Sequence, residues 1–463
     1  MRYISTRGAA PSLPFDEVLL AGLAADGGLY IPESWPRFSA AEMRRMVGLS
    51  YADLAIRVMT PFLGGTIPGA AFERMVREAY AAFDHPAVVP LKQLGERLWV
   101  MELFHGPTLA FKDLALQLLG PLYDHVLGAK NRRITIVGAT SGDTGSAAIE
   151  ACRDRARIEI FILHPEGRVS PVQRRQMTTV MAKNVHNLAI QGSFDDCQDL
   201  VKAMFNDRPF REASKLGAVN SINWARIMAQ IVYYFRAALA LGAPDRPVRF
   251  AVPTGNFGNV YAGYVARQMG LPIERFIVGS NRNDILTRLF ATGVMEIRAV
   301  EPSLSPSMDI QVSSNLERLL FDLYDRDGKA LAQDMEAFRK GGRLALTEAR
   351  HRAALAWFEG FRLSDDETLA EIGRLHRATG ELIDPHSAIG IAAAASAAET
   401  GDTPVVALAT AHPAKFAEAV ERATGEKPRL PARLADLMTR PERMDRLPNE
   451  LAAVEAHIRN VLA

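Results

Sequence analysis

A lysine near the start of a helix is the first residue in this sequence that could act as a nucleophile. It is Lys112, in the segment Glu102–Asp113 (ELFHGPTLAFKD), where a His-Gly-Pro turn precedes a helical run, LALQLLGPLYDHV. The positive end of a helix dipole and partial burial both disfavour the ammonium form of a lysine. A neutral lysine can condense with an aldehyde, and pyridoxal phosphate is the cofactor that most often uses such a Schiff base. A lysine that opens an amphipathic helix is more often a solvated surface charge, so neighbouring motifs must decide.

The loop Pro253–Asn259 (PTGNFGN) has the composition of a phosphate-binding turn. It follows an apolar strand pattern and precedes a helical pattern, so its backbone N–H groups can converge on an anion. Gly255 and Gly258 allow positive φ and a close approach of the backbone to phosphate oxygens. The loop suits a single phosphate, because the sequence contains neither a Walker motif nor the G-x-G-x-x-G of a dinucleotide fold. A tight turn without a ligand is the alternative interpretation.

A second loop, Ala139–Gly145 (ATSGDTG), places hydroxyl groups at the end of another predicted strand. The hydroxyls of Thr140, Ser141 and Thr144, together with exposed N–H groups before a helix, could hold the carboxylate of an α-amino acid substrate. Ordinary turn formation by small polar residues is again the alternative.

A third loop follows the apolar run Val405–Ala409 (VVALA) and begins with Thr410. Its hydroxyl group lies where it could meet the pyridine nitrogen of a pyridoxal cofactor. A hydroxyl partner leaves that nitrogen largely unprotonated, whereas a carboxylate would protonate it. The hydroxyl therefore favours elimination and replacement chemistry over transamination. Taken alone, Thr410 is also compatible with a simple loop threonine.

These loops need strands that end side by side, and the chain beyond residue 90 supplies them. Short β-rich runs alternate there with longer helical patterns, which is typical of a parallel sheet with helical crossovers. The expected fold class is therefore α/β, with open, mostly parallel sheets, helices on both faces and two α/β lobes. In such sheets ligands bind beyond the carboxyl ends of the strands, where the three loops lie. The predicted strands are Arg133–Val137, Glu159–Leu163, Val248–Val252, Arg275–Val278 and Val405–Ala409, and the predicted helices are Ser146–Arg155, Tyr261–Met269, Ile391–Ala398 and Lys415–Ala423.

The 463 residues allow several domains. Residues 1–85 carry helical patterns at Ala40–Leu49 and Tyr51–Thr60, broken by prolines, and are expected to form a small N-terminal domain. Residues 86–425 are predicted to form the catalytic α/β domain, with a charged, helix-rich insertion at 300–380. Residues 426–463 are expected to pack as a C-terminal appendage.

The composition excludes several classes of protein. Hydrophobic residues make up 48% and charged residues 23%, and 54 Lys and Arg against 53 Asp and Glu give a net charge of +1. A nucleic-acid partner is not expected, because the basic footprint of such binders is missing. The two cysteines, Cys152 and Cys197, are far apart and indicate reduced thiols in the cytoplasm rather than a metal site. With no targeting pattern at the start and no long apolar run, we expect no membrane association.

In their order and separations, the motifs resemble those of threonine synthases of the longer bacterial and fungal type. YISTRG near the start and DGGLYIPE at Asp26–Glu33 are also similar to that family, so the resemblance covers almost the whole chain. Single motifs are shared with other pyridoxal-phosphate enzymes of fold type II, the tryptophan synthase β-like superfamily, whereas the set is specific. The motifs are ELFHGPTLAFKD, ATSGDTG, SINWARI at Ser221–Ile227, PTGNFGN and LATAHPAKF at Leu408–Phe416.

The resemblance implies a role for each matching residue. Lys112 matches the Schiff-base lysine of the family, and Thr410 matches the residue that faces the pyridine nitrogen. Asp143 stands where many relatives in the superfamily have an Asn beside the 3-hydroxyl of the cofactor, and a carboxylate there would compete for the proton on that hydroxyl. The residues that match the cofactor phosphate loop are Gly255, Asn256, Phe257, Gly258 and Asn259.

The reaction that the resemblance implies converts O-phospho-L-homoserine and water into L-threonine and phosphate, the last step of threonine biosynthesis. A phosphorylated substrate needs an anion site distinct from that of the cofactor. Asn223 and Arg226 in SINWARI and Lys415 in HPAKF are candidates by charge and by their proximity to the loops. Ordinary helix-face cations are the alternative for Arg226 and Lys415. The expected assembly is a monomer or a homodimer.

Three other functions stay open at the level of sequence. A phospholyase, or another β/γ-elimination enzyme of the same superfamily, would release phosphate and a keto acid such as 2-oxobutyrate instead of threonine. A cofactor-free binding module with the same fold would have no need of Lys112. A nucleotide-binding protein that uses the glycine-rich loop would bind ATP or NAD and show no carbonyl chemistry.

Overall fold

Runs rich in Val, Ile, Leu and Ala form most of the strands in residues 1–217 and 220–463, the part of the chain that this computed structural model describes. They belong to two larger sheets and two short antiparallel pairs, β1–β2 and β11–β12. The strands are β1 Tyr3–Ser5, β2 Tyr30–Pro32, β3 Leu91–Gln93, β4 Leu98–Glu102, β5 Ile134–Ala139, β6 Ile158–Pro165, β7 Val185–Gln191, β8 Leu216–Gly217, β9 Val248–Pro253, β10 Ile273–Ser280, β11 Val294–Glu296, β12 Arg343–Ala345, β13 Phe358–Arg362, β14 Val405–Ala409 and β15 Asp445–Pro448.

Helices connect most of these strands, as expected for parallel neighbours that need crossovers. Many begin at a side chain that accepts the first free N–H groups, such as Ser364 of α16 and Asp384 of α17. The helices are α1 Phe15–Ala21, α2 Ala40–Arg44, α3 Tyr51–Leu63, α4 Gly69–Ala81, α5 Asp113–Ala129, α6 Asp143–Cys152, α7 Pro171–Thr178, α8 Phe194–Asn206, α9 Arg208–Ala213, α10 Trp224–Ala240, α11 Gly258–Gln268, α12 Ile285–Thr292, α13 Leu316–Leu323, α14 Gly328–Gly341, α15 Glu348–Leu355, α16 Asp365–Thr379, α17 Pro385–Ala398, α18 Ala417–Thr424 and α19 Leu451–Leu462.

The chain divides into two discontinuous units. Unit 1 comprises Met1–Gly106 and Ser221–Pro428, and unit 2 comprises Pro107–Asn220 and Arg429–Ala463. This division differs from the boundaries at residues 85 and 425 that the sequence suggests. The first 85 residues lie within unit 1, and the C-terminal segment belongs to the same unit as the middle of the chain.

Unit 1 contains a six-stranded sheet in the order β13–β10–β9–β14–β4–β3. All neighbours are parallel except β3 and β4. The adjacent strands β9 and β14 are fully buried, with Ala251 opposite Ala407, and α17 packs on them. Because they run in the same direction, the loops that follow Pro253 and Ala409 leave the same edge of this sheet.

Unit 2 contains a parallel five-stranded sheet in the order β15–β7–β6–β5–β8. Its core includes Phe161 and Leu188 from the sheet and Val454 and Ile458 from α19. The ATSGDTG motif runs from the last residue of β5 through a short loop into the first turn of α6. The segment that the sequence suggests as an appendage therefore supplies an edge strand and part of the core of this unit.

The predicted α/β class with mostly parallel sheets is confirmed. Strand β14 has the predicted bounds, and the other four predicted strands are present with longer or slightly shifted bounds. Helix α2 ends at Arg44, earlier than expected, since the following residues form turns and Gly48 adopts φ of 82°. The segment expected as a helix from Lys415 begins as a 3-10 turn, Pro413–Phe416, before α18. None of the helices in the described residues has the length and apolar character that crossing a bilayer requires.

Candidate active site

Lys112 lies in unit 2 at the N-cap of α5, the position that the sequence predicts. Its side chain is 11% exposed, and its Nζ is 3.5 Å from Oδ2 of Asp143. Gln173 orients that carboxylate, because its Nε2 donates to Oδ1 of Asp143 at 2.7 Å. A carboxylate at this distance stabilises positive charge on the lysine nitrogen. Lys112 Nζ thus lies within ion-pairing distance of a carboxylate, and the neutral amine expected from the sequence stays a prediction.

A buried hydrogen-bond network shapes the turn that leads into Lys112. The carboxylate of Asp113 accepts from the backbone N–H of Thr108 at 2.8 Å and from its hydroxyl at 2.7 Å. The amide of Gln176 donates to the carbonyl of Thr108 at 3.0 Å. Leu109, within the turn, adopts φ of 63°, and its side chain is buried against Leu434 and Leu437. These contacts fix the backbone that carries the lysine.

The first part of the same motif lies at the end of β4 in unit 1. Glu102 binds Nε2 of His105 at 2.6 Å and Nζ of Lys92 at 2.7 Å. Burial raises the pKa of Glu102, but hydrogen bonds and charge from His105 and Lys92 outweigh it, so the net shift is downward. Glu102 is therefore a stable anion that orients the His105 ring.

The residues of the ATSGDTG motif have different positions and different roles. Helix α6 begins at Asp143, so Asp143 and Thr144 lie in its first turn rather than in the loop. The Thr140 hydroxyl oxygen accepts from the N–H groups of Gly142 and Gly145, both at 2.9 Å, and so shapes the turn. Ser141 and Thr144 are half-buried, and their hydroxyls have no partner among the described residues. Those two hydroxyls are the ones that this turn leaves available to a ligand.

The glycine-rich loop of unit 1 joins β9 to α11, and Phe257 is its last residue before the helix. Phe257 adopts φ of 61°, which is unusual for a bulky residue. Its buried ring lies 6.5 Å from the ring of Phe290 and 5.9 Å from that of Phe358, measured between centroids. This packing stabilises a backbone conformation that would otherwise cost free energy, as is common at ligand sites.

The backbone of this loop has the features of an anion cradle. From Gly255 to Asn259, the backbone N–H groups have no acceptor among the residues that the structure describes. The first turn of α11 has no side-chain cap, so the positive end of its dipole is uncompensated. A Cβ on Gly255 would lie 2.9 Å from Cδ1 of Ile310 and 3.0 Å from the Ser307 carbonyl oxygen. Only glycine fits there without displacing these neighbours.

Asn259 adds a side-chain donor to the loop. Its Oδ1 accepts from the hydroxyls of Tyr233 at 2.5 Å and Tyr234 at 2.9 Å. Its buried Nδ2 has no partner among the described residues. An unsatisfied buried donor beside unpartnered N–H groups fits the phosphate of pyridoxal phosphate.

Thr410 in unit 1 directly follows β14, and a hydrogen bond from its backbone N–H fixes its position. Its N–H donates to Oγ of Ser387 at 3.0 Å, and the Ser387 hydroxyl donates to Asp384, the N-cap of α17. Asp384 also binds Nδ1 of His386 at 2.7 Å. The Thr410 hydroxyl is left without a partner in the described part of the chain and can meet a ring nitrogen.

The candidate substrate residues of unit 1 fall into two groups. Arg226 is 3% exposed, and its Nε and Nη1 have no partner among the described residues. Burial lowers the pKa of Arg226 to about 10, so the guanidinium stays charged at neutral pH. No counter-ion lies beside it in the part of the chain that the structure describes. Asn223, in contrast, caps α10: Oδ1 accepts from Ala225 N–H at 3.0 Å, and Nδ2 donates to the Leu19 carbonyl at 2.9 Å. Its predicted contact with a substrate stays a prediction, as does that of the buried Lys415.

Several residues that shape the site were not found from the sequence. Of these, only Asp384 had a local signal, because Asp followed by Pro is typical of a helix start. The others act through contacts between segments far apart in sequence, which periodicity does not reveal. They are Gln173, Gln176, Ser313, Asn315, Asp384 and Ser387.

Comparison with known families agrees with this chemistry. Residues 85–356 match the family model described as pyridoxal-phosphate dependent enzyme, the class that a buried lysine and a phosphate-type loop define. Residues 2–80 match the model for the threonine synthase N terminus, and residues 387–458 match that for the threonine synthase C-terminal region. The chain belongs to the threonine synthase family.

Individual relatives are similar along almost their entire length. A threonine synthase of Pseudomonas aeruginosa is 58% identical over 459 residues, which cover 99% of this chain and 98% of the relative. A PLP-bound threonine synthase structure from Brucella melitensis is 56% identical, with a TM-score of 0.97 and coverage of 100% and 99%. The Escherichia coli threonine synthase structure is 32% identical, with a TM-score of 0.83 and coverage of 99% and 100%.

Proposed function

We propose that this enzyme converts O-phospho-L-homoserine and water into L-threonine and phosphate, with pyridoxal phosphate as its cofactor. The observation that carries the proposal is the 58% identity to the threonine synthase of Pseudomonas aeruginosa across 99% of the chain. The phosphate-type loop and the buried Lys112 support it, since a phosphate site and a lysine shielded from solvent both belong to the chemistry that this reaction needs.

Lys112 performs the proton transfers in this proposal. When bound, pyridoxal phosphate supplies the electron sink that makes the Cα proton of the substrate acidic and allows the γ-phosphate to leave. Lys112 Nζ, released by the substrate amine, removes the Cα proton and then moves protons at Cβ. Asp143, 3.5 Å from Nζ, stabilises the positive charge that the amine acquires with each proton. The Thr410 hydroxyl leaves the pyridine nitrogen largely unprotonated, which favours elimination.

Two separate groups of donors bind anions in this proposal. The N–H groups from Gly255 to Asn259 bind the phosphate of the cofactor. Arg226, with unpartnered guanidinium nitrogens, supplies positive charge for the γ-phosphate of the substrate. The hydroxyls of Ser141 and Thr144 bind the substrate carboxylate.

We further propose a cytoplasmic enzyme that acts as a monomer or homodimer and binds no nucleic acid. The net charge of +1 and the two buried free cysteines support this assignment. The division at residues 85 and 425 into an N-terminal domain, a catalytic domain with an insertion, and a C-terminal segment also stays a proposal.

Product analysis tests the reaction. The purified protein, supplied with pyridoxal phosphate and O-phospho-L-homoserine, is expected to release phosphate and threonine in equal amounts. Release of phosphate with 2-oxobutyrate instead would indicate a phospholyase and contradict the proposal. Absence of both products, with binding of ATP or NAD, would indicate a nucleotide-binding protein.

A spectrum tests the role of Lys112. The wild-type protein is expected to be yellow and to become irreversibly labelled at Lys112 when reduced with borohydride. Lys112→Ala is expected to remain unlabelled and inactive, while Lys202→Ala, whose side chain on α8 is 66% exposed, is labelled at Lys112 and active like the wild type. Label on any other lysine would remove Lys112 from its assigned role.

A further inference from the structure

The carbonyl groups of the phosphate loop are bound by one short segment of unit 1, Ser313–Asn315. The Ser313 hydroxyl donates to the Gly255 carbonyl at 2.6 Å. Asn315 donates twice to the Asn256 carbonyl, from its backbone N–H at 3.0 Å and from Nδ2 at 3.1 Å. Asn315 is fully buried, so these bonds form away from solvent.

Binding these carbonyls determines where the loop N–H groups point. In a trans peptide the C=O and the following N–H point in opposite directions across the same plane. The plane that carries the Gly255 carbonyl carries the Asn256 N–H, and that of the Asn256 carbonyl carries the Phe257 N–H. Since both carbonyls point towards Ser313–Asn315, both N–H groups point away from it. Those are N–H groups that have no acceptor in the described residues.

The orientation of the Asn315 side chain is itself imposed by a buried arginine. Nη1 of Arg318 donates to Oδ1 of Asn315, which leaves Nδ2 to donate to the Asn256 carbonyl of the loop and, at 3.2 Å, to the Ser221 carbonyl. Arg318 is fully buried and is held in turn by the carbonyls of Tyr30 at 3.0 Å and Ile222 at 2.6 Å. Its geometry therefore does not depend on a ligand.

We propose that Asn315 is a positioning residue for the cofactor phosphate: by holding the Asn256 carbonyl, it aims the loop N–H groups at the phosphate oxygens. The inference rests on the proposed function, in which this loop binds the phosphate of pyridoxal phosphate. Asn315 touches neither the cofactor nor the substrate in this role, and Ser313 assists it through the Gly255 carbonyl.

Comparison of two probes, pyridoxal phosphate and pyridoxal, separates phosphate binding from every other contribution. Asn315→Asp keeps the shape of the side chain and its bond to Arg318 but replaces the Nδ2 donor by an acceptor. Ser313→Ala removes only a hydroxyl and adds no charge. Both variants are expected to weaken the binding of pyridoxal phosphate by roughly ten-fold or more, while their affinity for pyridoxal stays at the wild-type value. Ser396→Ala, at an exposed position of α17, is the matched control and keeps both affinities.

The outcomes separate a failure of the Asn315 proposal from a failure of the proposed function on which it rests. If the wild-type protein binds pyridoxal as tightly as pyridoxal phosphate, the loop is not a phosphate site and the proposed function loses its support. If the wild type discriminates and both variants discriminate equally well, Asn315 is not a positioning residue. An equal loss of affinity for both probes would show a merely structural role. Should Asn315→Asp fail to fold, the ratio measured for Ser313→Ala decides alone.

Discussion

Three residues of this site are notable for a missing feature: a side chain, a counter-ion or a hydrogen-bond partner. Gly255 lacks a side chain where one would collide with Ile310 and the Ser307 carbonyl. Within residues 1–217 and 220–463, Arg226 has no counter-ion and Asn259 has no partner for its Nδ2. The unpartnered donors of Arg226 and Asn259 cost stability without a ligand and become favourable when a ligand accepts from them. At these positions, substitutions are expected to affect ligand affinity and the free energy of unfolding differently.

Gly255→Ala is expected to weaken pyridoxal phosphate binding by roughly ten-fold or more, because the new methyl group must displace the backbone around Met308. A Cβ there would lie 3.2 Å from Cα of Met308. Fluorescence titration of the cofactor-free protein measures the change. Gly341→Ala, whose Cβ would meet nothing within 4 Å, is the control. Equal affinities for the two variants would contradict the prediction.

Arg226→Met is expected to change binding and stability in opposite directions. Loss of the charged donors should raise KM for O-phospho-L-homoserine roughly ten-fold or more, since hydrogen bonds to charged groups are strong. The cofactor-free protein should gain about 1 kcal/mol in its free energy of unfolding, because an uncompensated buried charge is replaced by an apolar group.

Steady-state kinetics and urea unfolding of the same preparation test both parts. The exposed Arg246→Met is the control, and neither quantity is expected to change in it. An unchanged KM in Arg226→Met would remove this residue from the substrate phosphate site.

At the scale of helices and strands, the sequence predicts the interiors well and the functional ends less well. Strand β14 is buried along its whole length, and its apolar run has the predicted bounds. Helices α6 and α11 begin at Asp143 and Gly258, a few residues before their predicted starts. Both are preceded by small polar residues and glycines that are typical of loops, so the composition does not reveal where these helices begin. These are the two helix N-termini whose N–H groups can bind a ligand.

The site follows the same pattern. Lys112, Thr410 and the glycine loop carry local signals in residue type and spacing, and they could be found from the sequence. Asn315 and Ser387 act through hydrogen bonds to segments distant in sequence, and only the folded chain reveals these bonds. The ion pair between Lys112 and Asp143 also needs the fold, because it joins two different helices.

His164 near the end of β6 predicts a pH dependence that belongs to this strand. Burial, with a smaller contribution from Arg174, lowers the pKa of His164 from 6.5 to about 4. Below pH 6.5 His164 is protonated in the unfolded chain but stays neutral in the folded protein. The free energy of unfolding therefore falls as the pH drops towards 4. At pH 5 this loss amounts to about 2 kcal/mol.

His164→Gln removes the titrating group and should flatten this dependence. Urea unfolding followed by circular dichroism at pH 8 and pH 5 measures the difference for the wild type and the variant. The same loss of stability in both proteins would exclude His164 as its source.

At the scale of the whole molecule, unit 2 is assembled from segments far apart in the chain. Strand β15 pairs in parallel with β7, from Asp445 opposite Leu188 to Pro448 opposite Gln191. Helix α19 adds Val454 and Ile458 to the core beneath the sheet. The short strand is only partly apolar, and no local pattern indicates its distant partner.

Ile458→Ala is therefore expected to destabilise unit 2 by about 2–5 kcal/mol, as expected for a large side chain removed from a core. Val461→Ala, on the same helix but 39% exposed, should change stability by less than about 0.5 kcal/mol. Urea unfolding followed by circular dichroism compares the two. Equal effects would show that α19 does not contribute to the core as described.

The long sequence separation between β7 and β15 also matters while the protein is being synthesised. A ribosome releases β7 long before it has made β15, so the growing chain carries an open strand edge while the intervening region is still being translated. Edges of this kind attract other strands, and a stalled or prematurely terminated product would keep one permanently. Nascent chains of this enzyme should therefore depend on chaperones until β15 emerges.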